Sequence, residues 1–156
     1  RTSCNMSAAT TLALAEHPNV IGIKEASGDL EQIGDILASR PAHFAVWSGD
    51  DALAMPTVAM GADGLISVLG NAFPKPMAAM VEQASFGQTH EARSTHAALK
   101  PLMALMFEEG NPAGIKAAMN HLGLCEGDVR LPLTKASAAL KDKLYAAIAA
   151  LEVSAH

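Results

Sequence analysis

The chain has 156 residues, of which half are hydrophobic and 17% are charged, and its formal net charge is −5. This composition fits one folded domain, or part of a larger one, with a real core. The acidic balance without a basic run argues against a nucleic-acid surface, and no apolar segment approaches the roughly 20 residues that cross a bilayer, which argues against a membrane protein.

Strand and helix patterns alternate through the first half of the chain. Ser7 can cap a first helix, and Asp29 with Gln32 three residues later resembles a capping box for a second helix. Val20–Ile23 is a continuous apolar run that is too short for an amphipathic helix. Pro56 inside the third predicted helix indicates a kink or a late start. The patterns predict helix 7–16, strand 20–23, helix 29–40, strand 43–48, helix 50–61, strand 64–69 and helix 73–87.

This alternation predicts a parallel sheet covered by helices. An open doubly wound sheet and a TIM barrel satisfy it equally, and periodicity does not choose between them. After residue 88 the predicted strands cease. Three helices are predicted there, with Asn111 as the N-cap of the second, Pro112 at its first position and Gly123 as its stop. They cover residues 89–107, 111–123 and 135–152.

The first predicted strand ends in a lysine, Lys24, where parallel α/β sheets place their working groups. The next two predicted strands also end in polar or glycine residues, and we expect all three ends to meet at one rim. The residues after those two strands are Ser48, Gly49 and Asp50, then Gly70 and Asn71. Glycines at such a rim let a substrate approach the backbone closely.

Two interpretations of Lys24 are open at this point. It can be a structural lysine whose ammonium group reaches water, which is the commoner fate of a lysine. Alternatively, its amine is desolvated and forms a Schiff base with a carbonyl compound. Glu25 points to the opposite side of a continuing strand and need not pair with it. Asp50 and Asp51 can be pocket acids, but capping of the following helix is the simpler expectation.

Three segments, IGIKEASGD, WSGDDA and GADGLISV, resemble in this order and spacing the second half of the dihydrodipicolinate synthase family. RTS at the start and GNPAGIKAAMNHLGL and RLPL near the end extend the resemblance over nearly the whole chain. The resemblance implies an α/β fold that is the C-terminal part of a TIM (β/α)8 barrel. Residues 1–88 would be the barrel part, from the end of strand 5 through strands 6–8 to helix 8, and residues 89–156 the C-terminal helical region.

The same resemblance assigns four site residues. Lys24 matches the catalytic Schiff-base lysine, and Arg1 matches the arginine that binds the carboxylate of the second substrate, a role suited to its planar fork of donors. Gly49 matches a glycine that lines the pyruvate pocket, and Ile66 matches the residue whose backbone carbonyl faces pyruvate. Without the resemblance, Arg1 would be a solvated end group, and Gly49 and Ile66 ordinary turn and strand residues.

The implied function is that of a lyase that condenses pyruvate with aspartate 4-semialdehyde to 4-hydroxy-tetrahydrodipicolinate in lysine biosynthesis. No metal or organic cofactor is expected, because the imine at Lys24 supplies the activation. A homo-oligomer, a dimer of dimers, is the expected assembly. Alternatives are an N-acetylneuraminate lyase or keto-sugar-acid aldolase of the same superfamily, or a catalytically incomplete half-barrel that only binds a complementary chain.

Several features of the family pattern have no counterpart in the sequence. The tyrosines and threonine of the family's proton relay are absent, since the single tyrosine, Tyr145, falls in the last predicted helix. The chain begins at Arg1 without an initiator methionine, and we expect it to be a fragment or one half of a split chain, with the N-terminal half of the barrel as partner. Three strands alone would leave sheet edges exposed.

The cysteines and histidines show no pattern of metal ligands. Cys4 and Cys125 have no metal-type spacing, and we expect both to be reduced and packed. The six histidines do not share a ligand spacing either, so no metal site is expected. Because no secretory signal is visible, a cytoplasmic location is the default expectation.

Overall fold

Three parallel strands and the helices that connect them form the first part of the structure, and further helices follow. The computed structural model describes the backbone of residues 4–154 and the side chains of residues 4–151. Within these residues the elements are α1 (Ala8–Ala15), β1 (Gly22–Glu25), α2 (Leu30–Ser39), β2 (Ala45–Ser48), α3 (Ala54–Ala59), β3 (Gly64–Leu65), a 3-10 helix (Leu69–Asn71), α4 (Pro74–Ser85), α5 (Thr89–Leu105), α6 (Ala113–His121) and α7 (Ala138–Ser154).

The strands lie in the order β1-β2-β3, and both neighbouring pairs are parallel. Lys24 is in register with Trp47, which is in register with Gly64. The predicted parallel α/β unit is therefore confirmed, and the carboxyl ends of all three strands meet at one edge.

The two faces of the sheet have different surroundings. Side chains alternate across a strand, so Glu25, Val46 and Ser48 point to one face, and each is at most 5% exposed;. On that face Val46 belongs to a core cluster with Ile36 of α2. The opposite face carries Lys24, which is exposed, and Trp47, which is half-buried. In the described part of the chain, one face is thus covered by helices and the other is largely open.

Several predicted boundaries are corrected by tertiary contacts. β1 begins at Gly22 rather than residue 20, because its register is set by pairing with β2 and Val20 instead closes a turn onto His17. β3 has only two residues, since the chain turns away after Ile66 into the 3-10 helix. α3 starts late, at Ala54, as Pro56 indicated, because a proline in the first turn forfeits no helical hydrogen bond;.

The predicted helix caps are partly right. Ser7 caps α1 by accepting from the Thr10 amide at 3.2 Å. Asp29 accepts from the amides of Glu31 and Gln32, but the Gln32 side chain does not complete the capping box. Asn111 is not the N-cap of α6; Pro112 occupies that position.

The last helix also starts later than predicted. α7 begins at Ala138 rather than residue 135. The Ser137 amide and hydroxyl both donate to the Glu109 carboxylate, and the Ser137 hydroxyl oxygen accepts from the Leu140 amide at 3.1 Å. Ser137 therefore marks the start of the helix.

The largest core cluster joins the sheet region to the C-terminal helices. Its largest fully buried side chains come from the 3-10 helix, from α4, from α5 and the residue that follows it, and from α7, namely Leu69, Met80, Leu99, Leu102, Met106, Leu140, Leu144 and Ile148. Residues on both sides of position 88 thus share one core, and a division of the chain at 88/89 stays a prediction. None of the helices that the structure describes has the length and hydropathy that a membrane crossing requires.

An ion pair closes the amino-terminal edge of the sheet. Asp63, just before β3, accepts from the Val46 amide at 2.7 Å and pairs with Arg40. Arg40 also donates to the carbonyls of Phe44 at 3.1 Å and Gly61 at 3.0 Å. Partial burial raises the pKa of Asp63, but the hydrogen bonds from Arg40 and Val46 outweigh this, and the pKa is lowered.

We expect Asp63→Asn to remove an acid-sensitive part of the stability. A carboxyl whose pKa is lowered by folding stabilises the fold above its unfolded pKa of about 4, and this contribution is lost as the pH falls through the folded pKa. For a half-exposed pair the loss at pH 7 should be about 1 kcal/mol. Urea midpoints of both proteins should converge as the pH falls below 4, whereas the exposed Asp35→Asn should behave like the parent. A difference between the urea midpoints of the parent and Asp63→Asn that stays constant with pH would contradict this account.

Candidate active site at the carboxyl edge of the sheet

Lys24 lies in the third position of β1, on the open face of the sheet. Its aliphatic stem contacts Gly49, which follows β2: a β-carbon on Gly49 would lie 2.8 Å from Lys24 Cε and 3.0 Å from Lys24 Cγ. The Gly49 amide donates to the Glu25 carbonyl at 2.6 Å, which fixes the backbone at this point. Two of the predicted site residues, Lys24 and Gly49, are therefore in direct contact, and the glycine provides the space for the lysine.

Glu25 does not pair with Lys24, as strand alternation indicated. Its carboxylate is buried on the helix-covered face, where Oε1 accepts from the Ser27 amide at 3.1 Å and from Gln32 Nε2 at 3.0 Å. Gln32 Oε1 in turn accepts from Asn5 Nδ2 at 2.7 Å. This network ties the segment before α1 to the carboxyl end of β1. Arg1 lies outside the described residues.

Ile66 continues from β3 at the same edge. Its amide donates to the Ser48 carbonyl at 2.8 Å, and its side chain is 44% exposed. Just beyond it, the Ser67 hydroxyl accepts from the Gly70 amide at 2.7 Å. The structure therefore brings Lys24, Gly49 and the Ile66 backbone to one edge of the sheet.

The two aspartates after β2 do not cap α3, contrary to the simpler expectation. Leu53 is the N-cap residue, and no side chain bonds to the helix start there. Asp50 Oδ1 accepts from the Ala52 amide at 2.8 Å and so closes a local turn. Asp51 is only 2% exposed and bonds to the loop after β3. The sequence signal for Asp51 was present, an acid directly after a buried strand, but its partners are far along the chain.

A cleft of about 450 Å³ lies between this edge and α5. Both aspartates and one cation, Lys100, line it, together with Gly49, Ala26 and Phe107. Gly49 borders both this cleft and the Lys24 side chain, whereas Lys24 itself is not among the residues that line the cleft. Among the described residues, no three histidine, cysteine, aspartate or glutamate side chains form a group that could hold a metal ion.

We expect Gly49→Ala to impair chemistry at Lys24. The new β-carbon would lie 2.7 Å from the Ala26 β-carbon as well as 2.8 Å from Lys24 Cε, so the lysine must move. Displacement by about 1 Å can cost a reaction up to roughly 100-fold. If Lys24 forms an imine with a keto acid, the rate of reductive trapping reports the change.

Gly34→Ala is the matched control for that substitution. Gly34 lies within α2, and a β-carbon there would meet only the flexible end of the Met60 side chain, at 3.3 Å. An alanine in a helix interior should stabilise the chain by about 0.5–1 kcal/mol and leave trapping unchanged. Equal trapping rates in the Gly49→Ala protein and the parent would show that the contact with Gly49 does not position the amine.

Comparison with known proteins places this geometry in a family. The model of the Dihydrodipicolinate synthetase family matches residues 1–151. The 4-hydroxy-tetrahydrodipicolinate synthase of Moorella thermoacetica is 46% identical over 148 residues, which are 95% of this chain and 51% of that protein. The enzyme of the same name from Salinibacter ruber is 50% identical over 135 residues, 86% of this chain and 45% of that protein.

Solved structures agree with the sequence matches. The dihydrodipicolinate synthase of Thermotoga maritima superposes with a TM-score of 0.94 at 35% identity and covers 98% of this chain and 53% of that one. The enzyme from Cyanidioschyzon merolae, solved with lysine bound, gives a TM-score of 0.92 at 37% identity over 98% of this chain and 52% of that one. The chain spans about half the length of these relatives. On this evidence the chain belongs to the dihydrodipicolinate synthase family.

Proposed function

We propose that this chain supplies the Schiff-base lysine of a 4-hydroxy-tetrahydrodipicolinate synthase, a lyase that joins pyruvate to aspartate 4-semialdehyde in lysine biosynthesis. The observation that carries the proposal is the position of Lys24, at the carboxyl end of a parallel strand, on the open face of the sheet and against a glycine. A lysine amine there can attack a keto acid from the open side. Relatives that bear the synthase name at 43–50% identity support this reaction over others.

The chemistry follows from the amine. Lys24 Nζ attacks the ketone carbon of pyruvate, water leaves, and the resulting iminium withdraws electrons from the methyl group. Loss of a methyl proton gives an enamine, whose carbon attacks the aldehyde of the second substrate and forms the new carbon–carbon bond. The amino group of that substrate then displaces Lys24 and closes the ring. The lysine provides the activation, so the proposal requires no metal or organic cofactor.

Binding roles are proposed for three further residues. Gly49 and Ile66 would line the pyruvate pocket, because Gly49 contacts Lys24 and the Ile66 amide is fixed to the end of β2. The Ile66 carbonyl would face the keto acid. Arg1 would bind the carboxylate of the aldehyde substrate, since a guanidinium pairs with a carboxylate through two parallel hydrogen bonds.

The site needs a second part of a barrel to exclude water. Lys24 is exposed, and in the described chain β1 and β3 each pair with β2 only, which leaves two strand edges free;. We propose that this chain is the C-terminal half, with strands 6–8 and helices in residues 1–88 and a helical region in 89–156. The partner is then the N-terminal half of the barrel, with the tyrosines and threonine of the proton relay.

Further association into a dimer of dimers is also part of the proposal. Large apolar side chains remain exposed in the described chain and are available for subunit contacts. These include Leu131 at 91%, Phe86 at 73% and Leu124 at 57% exposure. A dihydrodipicolinate synthase variant described as monomeric superposes on this chain with a TM-score of 0.90, so the fold of this part does not itself require a tetramer.

The decisive test is borohydride trapping with pyruvate, in the chain assembled with the other half of a relative's barrel. The expected result is a covalent adduct of one reduced pyruvate, located by peptide mass spectrometry at Lys24. Lys24→Arg keeps the positive charge but cannot form the imine, so its adduct should disappear. Lys75→Arg, at an exposed position on α4, should leave it unchanged. No adduct in a folded assembly would favour a catalytically silent half-barrel.

The choice of aldehyde distinguishes the synthase from its superfamily rivals. Without borohydride, the enamine that pyruvate forms on Lys24 should react with aspartate 4-semialdehyde and be inert towards N-acetylmannosamine. Turnover with the sugar instead would identify the chain as part of a sialic-acid lyase.

A further inference from the structure

We propose that Asp51 is a positioning residue that fixes the loop after β3 against the end of β2 and so sets the place of the Ile66 backbone in the pyruvate pocket. The inference rests on the proposed function, because the pocket is the one proposed there. Asp51 itself touches none of the reacting groups in this account.

Asp51, which follows β2, is hydrogen-bonded to the segment that follows β3, and we call this pair of bonds the clamp. Asp51 Oδ2 accepts from the amides of Val68 at 3.1 Å and Leu69 at 2.8 Å, which lie 17 and 18 residues further along the chain. The Ile66 amide donates to the Ser48 carbonyl at 2.8 Å. The backbone of Ile66 and Ser67 is therefore held on both sides, by β2 on one and by Asp51 on the other.

Burial makes this clamp stiff. Asp51 is 2% exposed, and its other oxygen, Oδ1, has no hydrogen-bond partner among the described residues. A buried carboxyl group is costly to leave unpaired, which favours keeping the two hydrogen bonds from Val68 and Leu69;. If Asp51 is removed, the amides of Val68 and Leu69 lose this acceptor, and the loop is no longer tied to the end of β2 by it;.

The same sheet contains a natural control at its opposite edge. Asp63 also accepts from a backbone amide, that of Val46, but at the amino end of the strands. Its removal should weaken the fold without changing the carboxyl edge, where Lys24 and Ile66 lie. A comparison of the two aspartates therefore separates a loss of stability from a loss of positioning.

The experiment measures the pyruvate concentration that half-saturates trapping at Lys24, in the chain assembled with the other half of a relative's barrel. Asp51→Ala should raise it about 10- to 100-fold, since misplacing a binding group by about 1 Å has effects of this size. Asp51→Asn retains an acceptor oxygen and should recover most of the loss. Asp63→Ala should leave the half-saturating pyruvate concentration unchanged when both variants are measured at a temperature at which they are folded.

An amide readout tests the clamp without any activity. In the full chain, the amide proton signals of Val68 and Leu69 should shift and exchange faster in Asp51→Ala, but not in Asp63→Ala. If the parent assembly forms no adduct, the proposed function fails. If the parent is trapped but both aspartate variants change half-saturation equally, or Asp51→Ala changes nothing, the inference about Asp51 is overturned and the proposed function stands.

Discussion

The parallel hydrogen-bond ladder of β1, β2 and β3 is the constraint on which the remaining structure depends. It places Lys24, Trp47 and Gly64 in one row and brings the three carboxyl ends to one edge. Once that register is set, side-chain alternation decides which groups face the helices and which face the open side. Lys24 faces the open side and Glu25 the covered side because they are neighbours on a strand.

The two edges of this sheet use the same interaction for different purposes. At the amino edge, Asp63 accepts from the Val46 amide of β2 and pairs with Arg40, and these bonds join the residue before β3 to β2 and to the end of α2. At the carboxyl edge, Asp51 accepts from two loop amides, and the neighbouring residues carry the candidate site. In parallel α/β folds the amino edge serves stability and the carboxyl edge serves chemistry, and the roles proposed for the two aspartates follow this division.

The openness of the site gives a physical reason to expect another part of a barrel beside this chain. A Schiff-base lysine reacts as the free amine, and removal from water favours that form. Lys24 is exposed in the described chain, while α2 and the core behind it cover only the opposite face. The matched relatives are about twice as long, so they contain the additional chain that such a cover would need.

Local chemistry in the sequence determined the order of strands and helices, the caps at Ser7 and Asp29, and the lysine at a strand end, because each depends on residues within one or two turns of each other. The tertiary structure alone decided the register of β1, the brevity of β3 and the partners of Gln32 and Asp51. Gln32 bonds to Asn5 across 27 residues of sequence, and Asp51 bonds to Val68 and Leu69 across 17 and 18. A carboxylate or amide can satisfy a distant polar group as well as a near one. Sequence patterns record that a polar group is present, whereas the packing of strands against helices selects its partner.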